Sequence, residues 1–137
     1  MISLDLARRL KEAGLPWTPR DGDRFFIPDR DLDDRTFAIS EMVVTLRTVP
    51  DGRQIAFNGA VEWALDAIMQ REVIWLPSEP QLRRLLGPAF VGLMLTDDGY
   101  RCDARLGGTV RGFVAERAAD AYGLAVLAGL SSSAAFS

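Results

Sequence analysis

Apolar residues recur at helical spacing in several stretches of the chain. In the first stretch, Leu6 and Leu10 lie four residues apart behind Ser3, a residue type that caps helix N-termini. The pattern predicts a helix from Ser3 to about Ala13, with Gly14 as its end. Further helices are predicted over about residues 59–70, from the Ser78 cap to Gly87, and over about residues 116–130.

Other stretches have the composition of strands separated by turn residues. The clearest are Phe90–Thr96, Tyr100–Leu106 and Thr109–Val114, and the glycine pair at 107–108 is typical of a two-residue hairpin turn. Strands are also predicted over residues 24–27, over 36–48 with a break near Ser40, and over 53–57, and a short apolar segment covers 73–76. Strands grouped into hairpins favour antiparallel pairing over a parallel sheet.

The order of these elements predicts an α+β fold. We expect a single compact domain over residues 1–130, with an antiparallel sheet built from hairpins and about four helices packed on it. A chain of 137 residues, 48% hydrophobic and 26% charged, has the size and composition of one globular domain. Residues 131–137 are predicted to be a flexible C-terminal tail.

The chain contains no histidine, and this narrows its possible chemistry. A Ser-His-Asp relay, a Cys-His pair and a histidine-ligated zinc site are all excluded. Cys102 is the only cysteine, so an internal disulfide is impossible. Because a thiol without a base or a positive environment is a weak nucleophile, we interpret Cys102 as a small buried residue. The sequence therefore predicts no catalytic residue, no metal ligand and no cofactor.

Charge and hydropathy predict the surroundings in which the protein works. The net charge of -3 and the pI near 4.9 argue against nucleic acid as a partner. The longest near-apolar run, residues 121–130, is shorter than the ~20 residues of a membrane span. A lone cysteine and an N-terminus that mixes acid and base early favour a cytoplasmic protein.

Two groups of acids are candidate sites. The acidic run that begins at Asp29 resembles a calcium loop, but it has Asp34 where glycine is required and Ser40 where glutamate is required. Glu62 and Asp66 lie four residues apart on the helix predicted over 59–70, where paired carboxylates could divide acid and base roles beside an arginine. The alternative is an exposed acidic face.

The tryptophans are the strongest candidates for contacts with another molecule. Trp17 and Trp75 stand close to prolines, in rigid segments that can line a groove or anchor an interface. Trp63 lies off the apolar stripe Val61-Ala64-Leu65-Ile68-Met69. Packing at the edge of the core is the alternative for these rings. The predicted binding residues are Trp17, Arg24, Glu62, Trp63, Asp66 and Trp75.

The last helix predicts a partner of a different kind. Beyond Tyr122 its residues are apolar on nearly every side, and such a helix has to be covered on every side. Either the rest of the chain covers it or a second copy does. A homodimer through this helix is therefore expected as one of two solutions.

Most of the chain resembles a family of small actinobacterial proteins that are often labelled pilus assembly protein CpaE. The resemblance lies in Leu15-Pro16-Trp17-Thr18-Pro19, Gly22-Asp23-Arg24-Phe25, Phe57-Asn58-Gly59, Val61-Glu62-Trp63-Ala64-Leu65-Asp66, Trp75-Leu76-Pro77 and Gln81-Leu82-Arg83. It implies a role in pilus or secretion assembly. It implies no site residues, because this chain lacks the phosphate-binding loop and the length of the ATPase that gives the family its label.

The leading hypothesis is a binding protein without catalysis of its own, which acts on an unidentified protein partner. A carboxylate-dependent, hydrolase-like enzyme using Glu62 and Asp66 is the first alternative. A module that binds a small ligand between the Trp17 and Trp75 segments is the second.

Overall fold

The computed structural model describes residues 1–28, 36–38, 44–50, 52–57, 67–69 and 73–131. Contacts along the chain divide these residues into two compact units. Unit 1 consists of Met1–Pro16 and the described residues after Trp75, and unit 2 is Trp17–Trp75. The single domain expected over residues 1–130 stays a prediction.

The described residues combine helices with antiparallel sheets, which confirms the α+β class. Unit 1 holds α1 (Leu4–Glu12), α2 (Glu79–Leu86), a 3₁₀ turn (Gly87–Ala89), β7 (Phe90–Thr96), β8 (Gly99–Leu106), β9 (Thr109–Ala115) and α3 (Ala118–Ser131). Unit 2 holds β1 (Arg24–Phe26), β2 (Thr36–Ala38), β3 (Val44–Val49), β4 (Gly52–Phe57) and β5 (Ala67–Met69), while β6 (Ile74–Leu76) spans the boundary between the units. The sheet orders are β2-β1-β6, β3-β4-β5 and β7-β8-β9.

Local signals explain where α1 and α2 begin. The Ser3 side chain accepts a hydrogen bond from the backbone N–H of Leu6 at 3.3 Å. Ser78 forms a complete capping box with Gln81, in which each side chain accepts a bond from the other residue's backbone. Both caps confirm the sequence prediction, because capping depends on residues a few positions apart.

The helix predicted over residues 59–70 is wrong in its described part. Ala67–Met69 is a strand, β5, and it pairs antiparallel with β4 from Gln54↔Met69 to Ala56↔Ala67. Within its described ranges the chain has three helices instead of about four. Short apolar runs fit either element, and sheet pairing outweighs the weak local preference for helix.

The strand predicted over 36–48 is two strands that belong to different sheets. β2 pairs with β1, and β3 pairs with β4. The break predicted near Ser40 lies outside the described residues, as do the acidic run at 29–35 and the tail from residue 132.

The core of unit 1 lies between the β7-β8-β9 sheet and the helices. Cys102, Ala104 and Leu106 alternate along β8 and are buried, and α3 packs on β8, β9, α1 and α2. We call the α3-covered side of this sheet the inner face. No helix in the described ranges has both the length and the apolar character that a membrane crossing requires.

The same packing covers most of the last helix. Ala119, Ala121, Tyr122, Ala125 and Val126 are buried among the chain's own elements. Other residues of α3, such as Leu124 and Leu127, are half-buried. The homodimer through this helix stays a prediction. Only the half-buried residues would still need a second copy to cover them.

Candidate functional site

Two of the predicted binding residues meet in unit 2. The rings of Trp17 and Trp75 stack with centroids 6.1 Å apart and planes 9° from parallel. Trp17 also lies against Phe25, at 6.1 Å and 40°. A third ring between two stacked rings needs roughly 7 Å, so no aromatic ligand lies between Trp17 and Trp75 in this arrangement.

A buried carboxylate holds the first of these rings in place. Asp23 Oδ2 accepts hydrogen bonds from the Trp17 indole N–H at 2.9 Å and from the backbone N–H of Arg20 at 3.0 Å. Asp23 is 5% exposed, so both bonds satisfy a charge that is largely removed from water. The bonds fix the tryptophan as part of the structure of unit 2.

Trp75 is half-buried, and its indole nitrogen is buried with no hydrogen-bond partner among the described residues. Arg24, at the start of β1, is exposed and lies directly before Phe25 in the strand. The structure thus brings Trp17 and Trp75 together and leaves Arg24 on the surface. Glu62, Trp63 and Asp66 lie outside the described residues.

Cys102 is not suited to nucleophilic chemistry. It lies on the inner face of β8, fully buried, opposite Phe113 of β9 and Leu93 of β7. Burial, followed by the nearby charge of Asp103, raises the pKa of the Cys102 thiol from 9.0 to about 11. Its thiolate is therefore a minor form at neutral pH, which fits the interpretation of a small buried residue.

Metal binding has no support in the part of the chain that the structure describes. No group of three or more cysteine and acidic side chains there is close enough to hold a metal ion. Some of the described acids pair with arginine, for example Asp120 with Arg117 at 3.5 Å.

A cluster that sequence reasoning missed braces α2 against α3. Arg83 donates from Nη2 to the Tyr122 hydroxyl at 3.1 Å, and its guanidinium carbon lies 5.0 Å from the Phe90 ring centroid. The Phe90 and Tyr122 rings are 5.8 Å apart. An open concavity of about 710 Å³ lies beside them, lined by Glu79, Pro80, Arg83, Arg84, Gly87, Phe90 and Tyr122. No spacing in the sequence connects residues so far apart in the chain.

A second surface of unit 1 is the side of the β7-β8-β9 sheet that faces away from α3. We call it the outer face. Strand register places on it Met94 of β7, Arg101, Asp103 and Arg105 of β8, and Val110, Gly112 and Val114 of β9. Met94, Val110 and Val114 are 47%, 45% and 46% exposed. Large aliphatic side chains therefore lie about half-exposed on both flanking strands.

An ordered ion pair occupies the centre of the outer face. Arg101 Nε lies 3.1 Å from Asp103 Oδ1, and Arg101 Nη2 lies 3.0 Å from the sulfur of Met94. Gly112 leaves room for this pair, because a Cβ there would lie 3.1 Å from both Arg101 Cδ and Asp103 Oδ1. The outer face thus has a charge pair between apolar side chains.

Comparisons with protein-family models, curated proteins and solved structures found no significant match to the chain.

Proposed function

We propose that this protein is an interaction module that binds another protein and has no catalysis of its own. The observation that carries the proposal is the outer face of the β7-β8-β9 sheet. Its exposed Met94, Val110 and Val114 flank the Arg101–Asp103 ion pair. Exposed apolar side chains gathered on one face of a sheet favour contact with another protein.

The composition of the outer face fits such a role. Methionine and arginine are enriched at protein interfaces, and lysine is depleted. The outer face contains Met94, Arg101 and Arg105, and the chain's only lysine, Lys11, lies in α1. The Arg101 side chain is already held by Asp103 and Met94, so binding costs it little conformational freedom.

The chemistry of the chain supports binding over turnover. Histidine is missing from the sequence, and the one thiol is buried with a raised pKa. The paired carboxylates Glu62 and Asp66 lie outside the described residues, so no observed geometry favours the hydrolase-like alternative.

The resemblance to CpaE-labelled proteins supplies a biological setting for the proposal. We propose a pilus or secretion assembly as the first place to look for the partner. This setting comes from the resemblance alone, and the binding proposal does not depend on it.

Site-directed photo-crosslinking in the producing cell tests the proposed function. A benzoylphenylalanine placed at Met94 should give a discrete crosslinked species, because this side chain is exposed on the outer face. The same group at Arg9, an exposed position of α1, is the matched control and should not give that species. Equal crosslinking at both positions, or none at Met94, contradicts the proposal. Turnover of a substrate traced to this chain's side chains also contradicts it.

A further inference from the structure

The two edges of the β7-β8-β9 sheet differ in how they are protected. Natural proteins block edge strands with bulges, prolines or lysines, because an open edge pairs with other strands. β7 carries a bulge between Phe90 and Gly92. Neither β7 nor β9 contains proline or lysine, but β9 keeps an unbroken register with β8 from Tyr100↔Ala115 to Leu106↔Thr109. Among the described strands, β9 pairs with β8 alone.

The hairpin turn determines which backbone groups of β9 point to this open edge. Gly107 and Gly108, with φ of 61° and 81°, form a two-residue turn, so Leu106 and Thr109 are the hydrogen-bonded pair that closes it. Bonded and non-bonded pairs alternate along an antiparallel ladder. The backbone N–H and C=O groups of Val110, Gly112 and Val114 therefore point away from β8, toward the open edge.

We infer that β9 pairs antiparallel with β9 of a second copy of this chain, about a two-fold axis at Gly112. In this register Val110 lies opposite Val114 of the partner subunit, and Gly112 lies opposite Gly112 of the partner subunit. These are the residues whose backbone groups face the edge, so the pairing forms about six backbone hydrogen bonds. It also brings the half-exposed valines into cross-strand contact.

Charge favours this register over the one whose two-fold axis lies one residue earlier. The one charged residue of β9, Arg111, lies opposite Phe113 of the partner subunit, not opposite another arginine. Within one chain the Arg111 guanidinium carbon already lies 5.2 Å from the Phe113 ring centroid, so an aromatic neighbour suits it. A two-fold axis one residue earlier would place arginine opposite arginine, which is destabilising. The strand is thus complementary to itself.

Pairing at the edge leaves both outer faces free for another molecule. One paired strand is a contact smaller than the about 800 Å² per partner of a standard interface, so we expect a weak dimer that forms at high protein concentration. Edge pairing joins the two outer faces into one surface of twice the area. The inference deepens the proposed function and rests on it, since the dimer supplies the larger contact surface.

Charge substitutions on β9 test the inference by sedimentation velocity at about 1–300 µM, a range suited to an interface of modest size. The wild-type chain should dimerise with rising concentration. Val110→Lys with Val114→Lys places lysine opposite lysine across the two-fold axis and should give a monomer. Val110→Glu with Val114→Lys places glutamate opposite lysine and should restore the dimer. Val91→Lys, a change of a 52% exposed residue on the bulged β7 edge, is the control and should still dimerise.

The outcomes separate this inference from the proposed function. Circular dichroism should show all variants folded, so a monomer is not a product of unfolding. A wild-type monomer throughout the range overturns the inference, as does a dimer that survives the double lysine change. The Met94 crosslink reports on the proposed function independently, since a monomer that still gives the heterologous crosslinked species contradicts only the dimer.

Discussion

Gly123 lies in the middle of α3 where that helix passes α1, and replacing it with alanine tests how tightly the two helices pack. A Cβ at this position would lie 2.7 Å from Leu6 Cδ2 and 3.0 Å from Ile2 Cδ1. Leu6 is 4% exposed and Ile2 is 1% exposed, so both side chains would have to move within the core. Non-bonded carbons are stable at about 3.5–4.0 Å, so the contact with Leu6 is about 1 Å too short.

Two opposing free energies decide the result of Gly123→Ala. Alanine stabilises a helix interior by about 1 kcal/mol relative to glycine. Overpacking a well-filled core costs about 1–3 kcal/mol. We therefore expect a net decrease in the free energy of unfolding of about 1 kcal/mol, measured by urea denaturation followed by circular dichroism.

A second background isolates the contact. In a Leu6→Ala variant the shortest contact is gone, so Gly123→Ala should there raise the free energy of unfolding by up to about 1 kcal/mol. The sign of the effect should reverse between the two backgrounds. If Gly123→Ala stabilises the wild-type chain as much as it stabilises the Leu6→Ala variant, the close approach of α1 and α3 is refuted.

The remaining predictions concern stability in both units. Burial raises the pKa of Cys102 from 9.0 to about 11, so the unfolded chain loses its thiol proton first as the pH rises. The free energy of unfolding should therefore decrease between pH 9 and pH 11 more steeply in the wild type than in Cys102→Ala. If the melting temperatures of the two proteins depend equally on pH in this range, the prediction is contradicted. Asp23→Ala removes the acceptor of two hydrogen bonds and should lower the free energy of unfolding by about 1–3 kcal/mol, with a change in tryptophan fluorescence. Ser78→Ala should cost about 1 kcal/mol through loss of the α2 cap, whereas Ser78→Asp, which keeps a capping oxygen, should cost less in the same urea titration.

Helices and hairpins that depend on residues close together in the chain could be predicted from the sequence. Ser3 and Ser78 cap helices through bonds that span three residues, and the sequence shows both ends of each bond. The glycine pair at 107–108 sits between two strands that it joins directly. For the same reason the hairpins of unit 1 were predicted nearly to the residue.

The helix predicted over 59–70 shows where such reasoning fails. Val61, Ala64, Leu65 and Ile68 have helical spacing, but residues 67–69 form a strand because β4 offers them a pairing partner. A short apolar run has little preference of its own. The partner strand, which lies more than ten residues away in the chain, decides the outcome.

The candidate sites were predictable only in part. Trp17 and Trp75 are predicted as binding residues because each stands near a proline. Nothing in the sequence indicates that one ring stacks on the other. The same holds for Arg83 and Tyr122, which are 39 residues apart in the chain. Long-range contacts of this kind depend on how the elements pack and not on local spacing.

The sequence by itself determined the α+β class, the hairpins, the helix caps and the lack of histidine chemistry, because each follows from residue types and short spacings. Only the tertiary structure decided which side of the β7-β8-β9 sheet is covered. Alternation along β8 separates Cys102, Ala104 and Leu106 from Arg101, Asp103 and Arg105, and α3 then packs on the first set. The outer face stays exposed because the described chain supplies one helix for that sheet, and one helix covers one side.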